Sequence, residues 1–297
     1  MVAGMSKDED KKQGMSLIEK AAARIDKKST RKVEDRSPPA ARAHKQADSS
    51  AQVNIDLSLL KTKGFVTPDG ERTNLAEEFR FIKRPLLANA FGRNSDLVDH
   101  GNMIMVTSST AGEGKTLTTI NLALSIAMEM DKTVLLVDAD VGRAQIHKVL
   151  GTPLGPGLID LLTDDDMDVS DVILRTSLPK LRVIPMGRFH PHANELLAGQ
   201  NMLRLTQELA TRYSDRVVIF DSPPLLLTNE AVVLAGLMGQ IVFVVESGKT
   251  SQGSVKEALS LLDTSKPIGL VLNKASQHSE GGYYGYGAYG YSENHGA

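Results

Sequence analysis

The residues that could carry chemistry begin at Ser108, in the stretch SSTAGEGKT. An apolar run at 103–107 predicts a buried strand before it, and helical periodicity follows from Lys115. In this order, backbone N–H groups and a helix N-terminus would surround phosphates, Lys115 would contact the β- and γ-phosphates, and the Thr116 hydroxyl would bind Mg²⁺. The strict P-loop pattern has glycine where this chain has Ser109, and a coincidental helix cap is the alternative interpretation. The predicted nucleotide-binding residues are Ser109, Thr110, Ala111, Gly112, Glu113, Gly114, Lys115, Thr116 and Leu117.

Aspartates follow two further predicted strands. VLLVDAD at 134–140 carries Asp138 and Asp140, and VVIFDSPP at 217–224 carries Asp221. The carboxyl ends of parallel strands share one edge of a sheet, so these carboxylates are expected to lie near the P-loop. One could hold Mg²⁺ and another could accept the proton of an attacking hydroxyl. A turn or helix-cap role is the alternative for any one of them.

Strands and helices alternate from about residue 75 onward. These elements must bring the P-loop and the aspartates together. Continuous apolar, β-branched runs separated by helices predict a mainly parallel sheet with helices on both faces. The fold class is therefore α/β, of the P-loop NTPase type. The predicted strands are 103–107, 134–137, 181–184, 217–220, 241–245 and 268–272, and the predicted helices are 75–90, 115–130, 194–212, 228–237 and 251–263.

The composition excludes several classes of protein. The 297 residues carry 34 basic and 36 acidic side chains, so net charge gives no reason to bind nucleic acid. The chain has no cysteine, which excludes disulfides and thiolate metal sites. No apolar run approaches the roughly 20 residues of a membrane-spanning helix. We therefore expect a cytoplasmic protein that could still dock on a membrane partner.

The two ends differ in composition from the middle. Residues 1–60 contain no aromatic side chain and predict a disordered N-terminal arm, with a short helix near 16–25 that either docks on a partner or forms only transiently. Residues 61–275 form the predicted domain and 276–297 a flexible tail. The tail holds five of the six tyrosines among glycines, either as phosphate acceptors or as a low-complexity terminus. These tyrosines are Tyr283, Tyr284, Tyr286, Tyr289 and Tyr291.

Together these motifs resemble the bacterial tyrosine kinases of exopolysaccharide and capsule synthesis, on the deviant-Walker, MinD/ParA-like branch of P-loop proteins. SSTAGEGKT resembles their Walker A motif, VLLVDAD their Walker A′ and VVIFDSPP their Walker B. The resemblance covers about 75–291 and assigns Lys115 to the phosphates. It assigns Mg²⁺ to Thr116 and Asp221 with support from Asp140, and makes Asp138, a further candidate metal ligand, the base that receives the tyrosine proton. In related P-loop proteins, a residue at the position of Asn273 contacts the adenine base; from sequence alone, a turn residue is the alternative.

Two departures from the family pattern concern charged side chains. Where members have arginine two residues after the second Walker A′ aspartate, this chain has glycine, and the neighbouring Arg143 is either a catalytic phosphate or interface residue or a surface charge. The family's Glu-x-x-Arg-x-x-Arg helix, which contacts a neighbouring subunit, reads Glu77, Arg80 and Lys83 here. These three are the expected oligomer interface, and a solvated charged face is the alternative.

The resemblance implies an ATP- and Mg²⁺-dependent tyrosine autokinase. It would phosphorylate its own tail within a ring or head-to-tail homo-oligomer and so regulate polysaccharide chain length and export. The implied partners are a chain-length-determinant membrane protein, whose cytoplasmic segment would recruit the kinase to the inner face of the plasma membrane, and a tyrosine phosphatase. A regulatory ATPase of the MinD/ParA type is the alternative, although that group has a lysine where this chain has Thr110. A third hypothesis is a scaffold protein that binds a nucleotide.

Overall fold

A seven-stranded sheet organises the residues that the computed structural model describes, which are 52–68, 73–93, 95–213 and 215–275. The strands follow the order β3-β4-β2-β5-β1-β6-β7, and all neighbours are parallel except β3 and β4. The predicted α/β class with a mainly parallel sheet is therefore confirmed. The strands are β1 Met103–Ser108, β2 Thr133–Asp138, β3 Leu174–Arg175, β4 Leu181–Ile184, β5 Arg216–Asp221, β6 Gln240–Glu246 and β7 Ile268–Asn273.

Helices cover both faces of the sheet because successive strand residues point to opposite sides. Met103 and Met105 pack on one face, against α5 to α10, whereas Ile104 and Val106 pack on the other, against α1 to α4. These alternating residues form two apolar cores. The helices are α1 Leu57–Thr62, α2 Asn74–Phe91, α3 Lys115–Ala127, α4 Ile146–Leu150, α5 Leu158–Thr163, α6 Val169–Val172, α7 Ala193–Leu197, α8 Gln200–Thr211, α9 Asn229–Leu237 and α10 Gln252–Ser260.

The short elements between β2 and β5 differ from the sequence-based expectation. The single helix predicted at 194–212 is in fact two helices, α7 and α8. The first helix ends with Ala198 as its C-cap, and Gly199 is the N-cap of the second. Helices α4, α5 and α6 and strand β3 have between two and six residues each, too few for a clear hydrophobic period. The long strands and the P-loop helix lie where the pattern placed them.

The predicted boundary at residue 61 is wrong, because the ordered domain already includes Val53. Val53 forms a parallel bridge with Thr176, and Ile55 donates its N–H to the Ser177 hydroxyl at 3.0 Å. Ile55 and Leu60 are buried in the core on the α3 face. A segment without aromatic residues thus gains its order from contacts with residues more than 100 positions away in the chain.

Two of the predicted features fall outside the described residues. These are the short helix near 16–25 and the tyrosine-rich tail at 276–297. Across the part of the chain that the structure describes, no helix combines the length and apolar character needed to cross a membrane.

Candidate active site

The P-loop joins β1 to α3 through two glycines in the left-handed region. Gly112 has a φ of 87° and Gly114 a φ of 100°, and a residue with a side chain would be strained at these angles. Gly114 is the N-cap of α3, and Lys115, 6% exposed, is the first residue of the helix. The loop backbone and the helix N-terminus therefore form a site suited to anions.

Asp221 joins the end of β5 to the start of α3. Its Oδ2 accepts a hydrogen bond from the Thr116 hydroxyl at 2.6 Å and its Oδ1 accepts one from Thr119 at 3.1 Å. Burial raises the pKa of Asp221 to about 7, although the Thr116 hydrogen bond opposes the shift. A buried carboxylate beside a P-loop hydroxyl is a site where a cation would stabilise the ionised form.

Asp138 ends β2 directly beside Asp221 on β5, since the two are register partners. Its Oδ2 accepts the N–H of Ile146 at 3.2 Å, whereas Oδ1 is buried without a hydrogen-bond partner. Burial raises the pKa of Asp138 well above its usual value, and the charge of Asp221 adds to the effect. An unpartnered buried carboxylate oxygen is costly, so it points to a function.

Asp140 lies two residues further along, where its Oδ1 accepts the N–H of Arg143 at 3.1 Å. Burial raises the pKa of Asp140, and the nearby ammonium of Lys115 lowers it. Both Asp140 and Arg143 line a crevice of about 460 Å³ next to the P-loop. Arg143 therefore lies at the crevice, and its contact with a phosphate stays a prediction.

Sequence reasoning missed several residues that line this crevice. Pro223 and Pro224 follow the Asp221 strand end, so the SPP motif was a usable signal, whereas nothing in the local pattern marked the others. The lining residues absent from the predicted site are Gly142, Gln145, Asn194, Pro223, Pro224, Leu227 and Thr228.

The other predicted nucleotide residues serve different parts of the loop. Ala111, Gly112, Gly114, Lys115, Thr116 and Leu117 line the crevice. Ser109 is buried behind it and accepts the N–H of Leu226 through its carbonyl at 3.1 Å. The carboxylate of Glu113 faces inward to the protein, where it accepts the Thr110 N–H at 2.8 Å and the Thr250 hydroxyl. The side chain of Asn273 donates to the Glu113 carbonyl at 2.9 Å.

The three charged residues of α2 do not form one exposed face. Glu77 and Arg80 pair with each other on the surface, each side chain more than 40% exposed. Lys83 is instead buried, and donates to the Ser125 carbonyl at 2.7 Å and to Glu129 at 2.6 Å. The expectation that Lys83 presents its charge to a neighbouring subunit is therefore wrong. Its ammonium is buried between α2 and α3, where it pairs within the same subunit.

The residues present fit a nucleotide with its divalent cation. The unpartnered Oδ1 of Asp138, the Thr116 hydroxyl and the Asp221 carboxylate are oxygen donors, the kind that Mg²⁺ prefers. Among the described residues, no three His, Cys, Asp or Glu side chains form a metal cluster by themselves. Mg²⁺ is commonly held by one or two carboxylates together with substrate phosphates and water.

Comparison with known proteins identifies the family. A family model described as an AAA domain matches residues 101–264. The tyrosine-protein kinase YwqD of Bacillus subtilis is 35% identical over 186 residues, which are 61% of this chain and 77% of that protein. The chain belongs to the bacterial tyrosine-protein kinases. Its P-loop is accordingly the nucleotide-binding element of a kinase.

Two further similarities support this bacterial tyrosine kinase assignment. The tyrosine-protein kinase CpsD of Streptococcus agalactiae is 32% identical over 208 residues, covering 68% of this chain and 88% of that one. The crystal structure of the chimerical protein CapA2B2 superposes with a TM-score of 0.61 at 26% identity, covering 75% and 93% of the two chains. Both matches span most of the other protein, so the similarity concerns the kinase domain as a whole.

Proposed function

We propose that this tyrosine kinase transfers the γ-phosphoryl group of Mg·ATP to tyrosines in its own C-terminal tail. The observation that carries the proposal is where β7 ends. Lys274, directly after β7, donates to the Gly112 carbonyl at 2.7 Å, so the tail starts beside the P-loop. From Ala275 to Tyr283 an extended chain spans at most about 28 Å. The acceptors are Tyr283, Tyr284, Tyr286, Tyr289 and Tyr291.

Phosphoryl transfer needs positioning and charge neutralisation more than covalent chemistry. Bound Mg·ATP supplies the phosphoryl group and the metal charge that offsets the phosphates. The ammonium of Lys115 and the N–H groups of the P-loop bind the phosphates, and Thr116 and Asp221 hold the cation. Asp140 supports the cation, and Arg143 provides a second positive charge at the crevice.

Asp138 acts as the base in this scheme. As the bond between the phenol oxygen and the γ-phosphorus forms, the bond to the leaving oxygen of ADP breaks and the phenol proton passes to the Asp138 carboxylate. Its raised pKa suits this task, because a carboxylate of higher pKa holds a proton better. A cation at Asp221 would reduce the repulsion between the two carboxylates and so keep Asp138 ionised before transfer.

The wider role that we propose is control of exopolysaccharide or capsule synthesis, including chain length and export. The kinase would work as a homo-oligomer, in a ring or head to tail. A tail that starts beside its own P-loop, but outside the crevice lining, would then enter the crevice of the next subunit. Glu77 and Arg80, exposed on α2, are available for such an interface. A chain-length-determinant membrane protein would recruit it to the inner face of the plasma membrane, and a phosphatase would reset the tail.

Phosphosite mapping after incubation with Mg·ATP tests site, reaction and acceptor together. Wild type is expected to carry phosphotyrosine on the tail, and Lys115→Met to carry none. A variant with all five tail tyrosines changed to Phe should lose tail labelling but still phosphorylate an added glutamate–tyrosine copolymer. Tyr213→Phe, which changes the one tyrosine outside the tail, is the matched control and should label normally. Absence of phosphotyrosine in wild type, with the partner's cytoplasmic segment present, would refute the proposal.

A further inference from the structure

Two consecutive residues at the end of β7 contact the P-loop from outside the crevice lining. Asn273 donates from Nδ2 to the Glu113 carbonyl at 2.9 Å, and Lys274 donates from Nζ to the Gly112 carbonyl at 2.7 Å. Neither residue lines the crevice. They therefore hold two successive carbonyl groups of the loop without entering the crevice.

Lys274 is itself held in an uncommon conformation. Its φ of 57° lies in the left-handed region, which costs energy for a residue with a side chain. Its ammonium also pairs with Glu246 at 3.2 Å. Without these two polar contacts, the backbone of an exposed lysine would return to an unstrained conformation. The strain therefore indicates a functional role for the Lys274 contacts.

The planarity of the peptide bond gives these contacts a consequence. In a trans peptide, the carbonyl of one residue and the N–H of the next point in opposite directions. Because Lys274 holds the Gly112 carbonyl, the N–H of Glu113 must point away from Lys274. Because Asn273 holds the Glu113 carbonyl, the N–H of Gly114, a residue that lines the crevice, must point away from Asn273. Successive N–H groups on one side of a loop form an anion-binding nest.

We propose that Lys274 and Asn273 are positioning residues that set the orientation of the P-loop amides for the ATP phosphates. Glu113 contributes from the side, since its carboxylate joins the Thr110 N–H to the Thr250 hydroxyl. Gly114 must lack a side chain for this arrangement, because a Cβ there would lie 1.9 Å from Asn273 Nδ2. The inference rests on the proposed binding of Mg·ATP at this loop.

The effect of Lys274→Met on nucleotide affinity tests the proposal. Loss of a charge-assisted hydrogen bond that orients one amide should raise the Kd for Mg·ADP and the KM for ATP roughly tenfold. The kcat at saturating ATP, measured on a glutamate–tyrosine copolymer, should change less than about twofold, because the phosphates are correctly bound once the site is filled. Lys274→Arg, which keeps a donor and the charge, should recover part of the affinity.

Lys249→Met is the matched control. Lys249 also pairs with Glu246, at 3.3 Å, but does not contact the P-loop, so this variant removes a neighbouring positive charge without freeing a carbonyl. It should leave the Kd for Mg·ADP unchanged. An equal loss in both lysine variants would overturn the proposal in favour of general electrostatic attraction.

A second variant separates loop orientation from stability. Lys274→Gly removes the side chain and relieves the left-handed backbone, so its thermal unfolding temperature should not fall, yet it should lose affinity as Lys274→Met does. Wild-type affinity in a folded Lys274→Gly protein would refute the positioning role. Failure of wild type itself to bind Mg·ADP would refute the proposed nucleotide site instead, so the two failures are distinguishable.

Discussion

Asp221 is completely buried, which makes its negative charge costly, and the nearby Lys115 ammonium offsets only part of that cost. The Thr116 and Thr119 hydroxyls donate to it, but neither carries a charge. Burial raises its pKa to about 7, so the ionised form costs more in the ligand-free folded protein than in water. The same carboxylate that suits Mg²⁺ should therefore reduce the stability of the ligand-free kinase.

Asp221→Asn should stabilise the ligand-free protein at pH 8 and abolish kinase activity. The folded pKa lies above the unfolded value, so the folded state of wild type loses stability as pH rises from about 4 through 7, by roughly 2–4 kcal/mol. Asparagine does not titrate, so the unfolding free energy of the Asp221→Asn protein should fall less between pH 4 and pH 7 than that of wild type. Urea unfolding at pH 5 and pH 8 in EDTA measures the difference. The same change at exposed Asp96 is the control; an identical pH dependence in wild type and Asp221→Asn would contradict the prediction.

Asp138→Asn should lower kcat by about 10²- to 10⁴-fold, the range for loss of a general base. The KM for ATP should stay within about threefold, because Lys115 and the P-loop amides remain in place. Steady-state kinetics on the glutamate–tyrosine copolymer separates the two parameters. A large rise in KM with normal kcat would instead assign Asp138 to nucleotide binding.

At the scale of elements, α2 shows how packing can reverse the meaning of a charge pattern. Glu77, Arg80 and Lys83 are three apart in the chain, yet only the first two are on the solvent side. Lys83 extends along α3 to the Ser125 carbonyl and to Glu129. The helix therefore has an exposed ion pair, available for the proposed interface, and a buried ammonium that joins α2 to α3.

Lys83→Ala should destabilise the isolated subunit by about 1–3 kcal/mol, because a buried carbonyl loses its charged donor. Arg80→Ala should cost less than about 1 kcal/mol, as expected for an exposed ion pair. Denaturant unfolding of both variants under conditions where the protein is monomeric provides the comparison. Equal effects on stability would mean that Lys83 contributes no more than a surface residue.

At the scale of the whole molecule, the tail and the crevice are linked by chain connectivity. The last strand of the sheet, β7, ends next to the P-loop, where the side chains of Asn273 and Lys274 contact the Glu113 and Gly112 carbonyls. Five phosphates on the tail would add roughly 1.5 to 2 negative charges each to a chain with a formal net charge of −2. Such a change is large enough to disfavour close packing of subunits.

Tail phosphorylation should therefore shift the kinase toward smaller assemblies. Changing the five tail tyrosines to Glu is expected to lower the mass measured by light scattering, whereas changing them to Phe should keep the unphosphorylated assembly. Higher salt should reduce the difference, since it screens exposed charges. Identical masses for the Glu and Phe variants at low salt would contradict the proposed control of assembly.

The amino-acid sequence by itself determined the α/β class, the P-loop and the strand-end aspartates. Each depends on short-range information: apolar runs of β-branched residues, glycines at Gly112 and Gly114, and aspartates directly after strands. Parallel strands then place those aspartates at one edge without further information.

Only the tertiary structure decided which side chains lie behind the site and which face solvent. Lys274 contacts Gly112 from 162 positions away, and Ile55 contacts Ser177 from 122 positions away. Lys83 is buried by its contacts with α3, a different element. No local pattern carries such pairings, because they form only when the sheet order brings distant segments together.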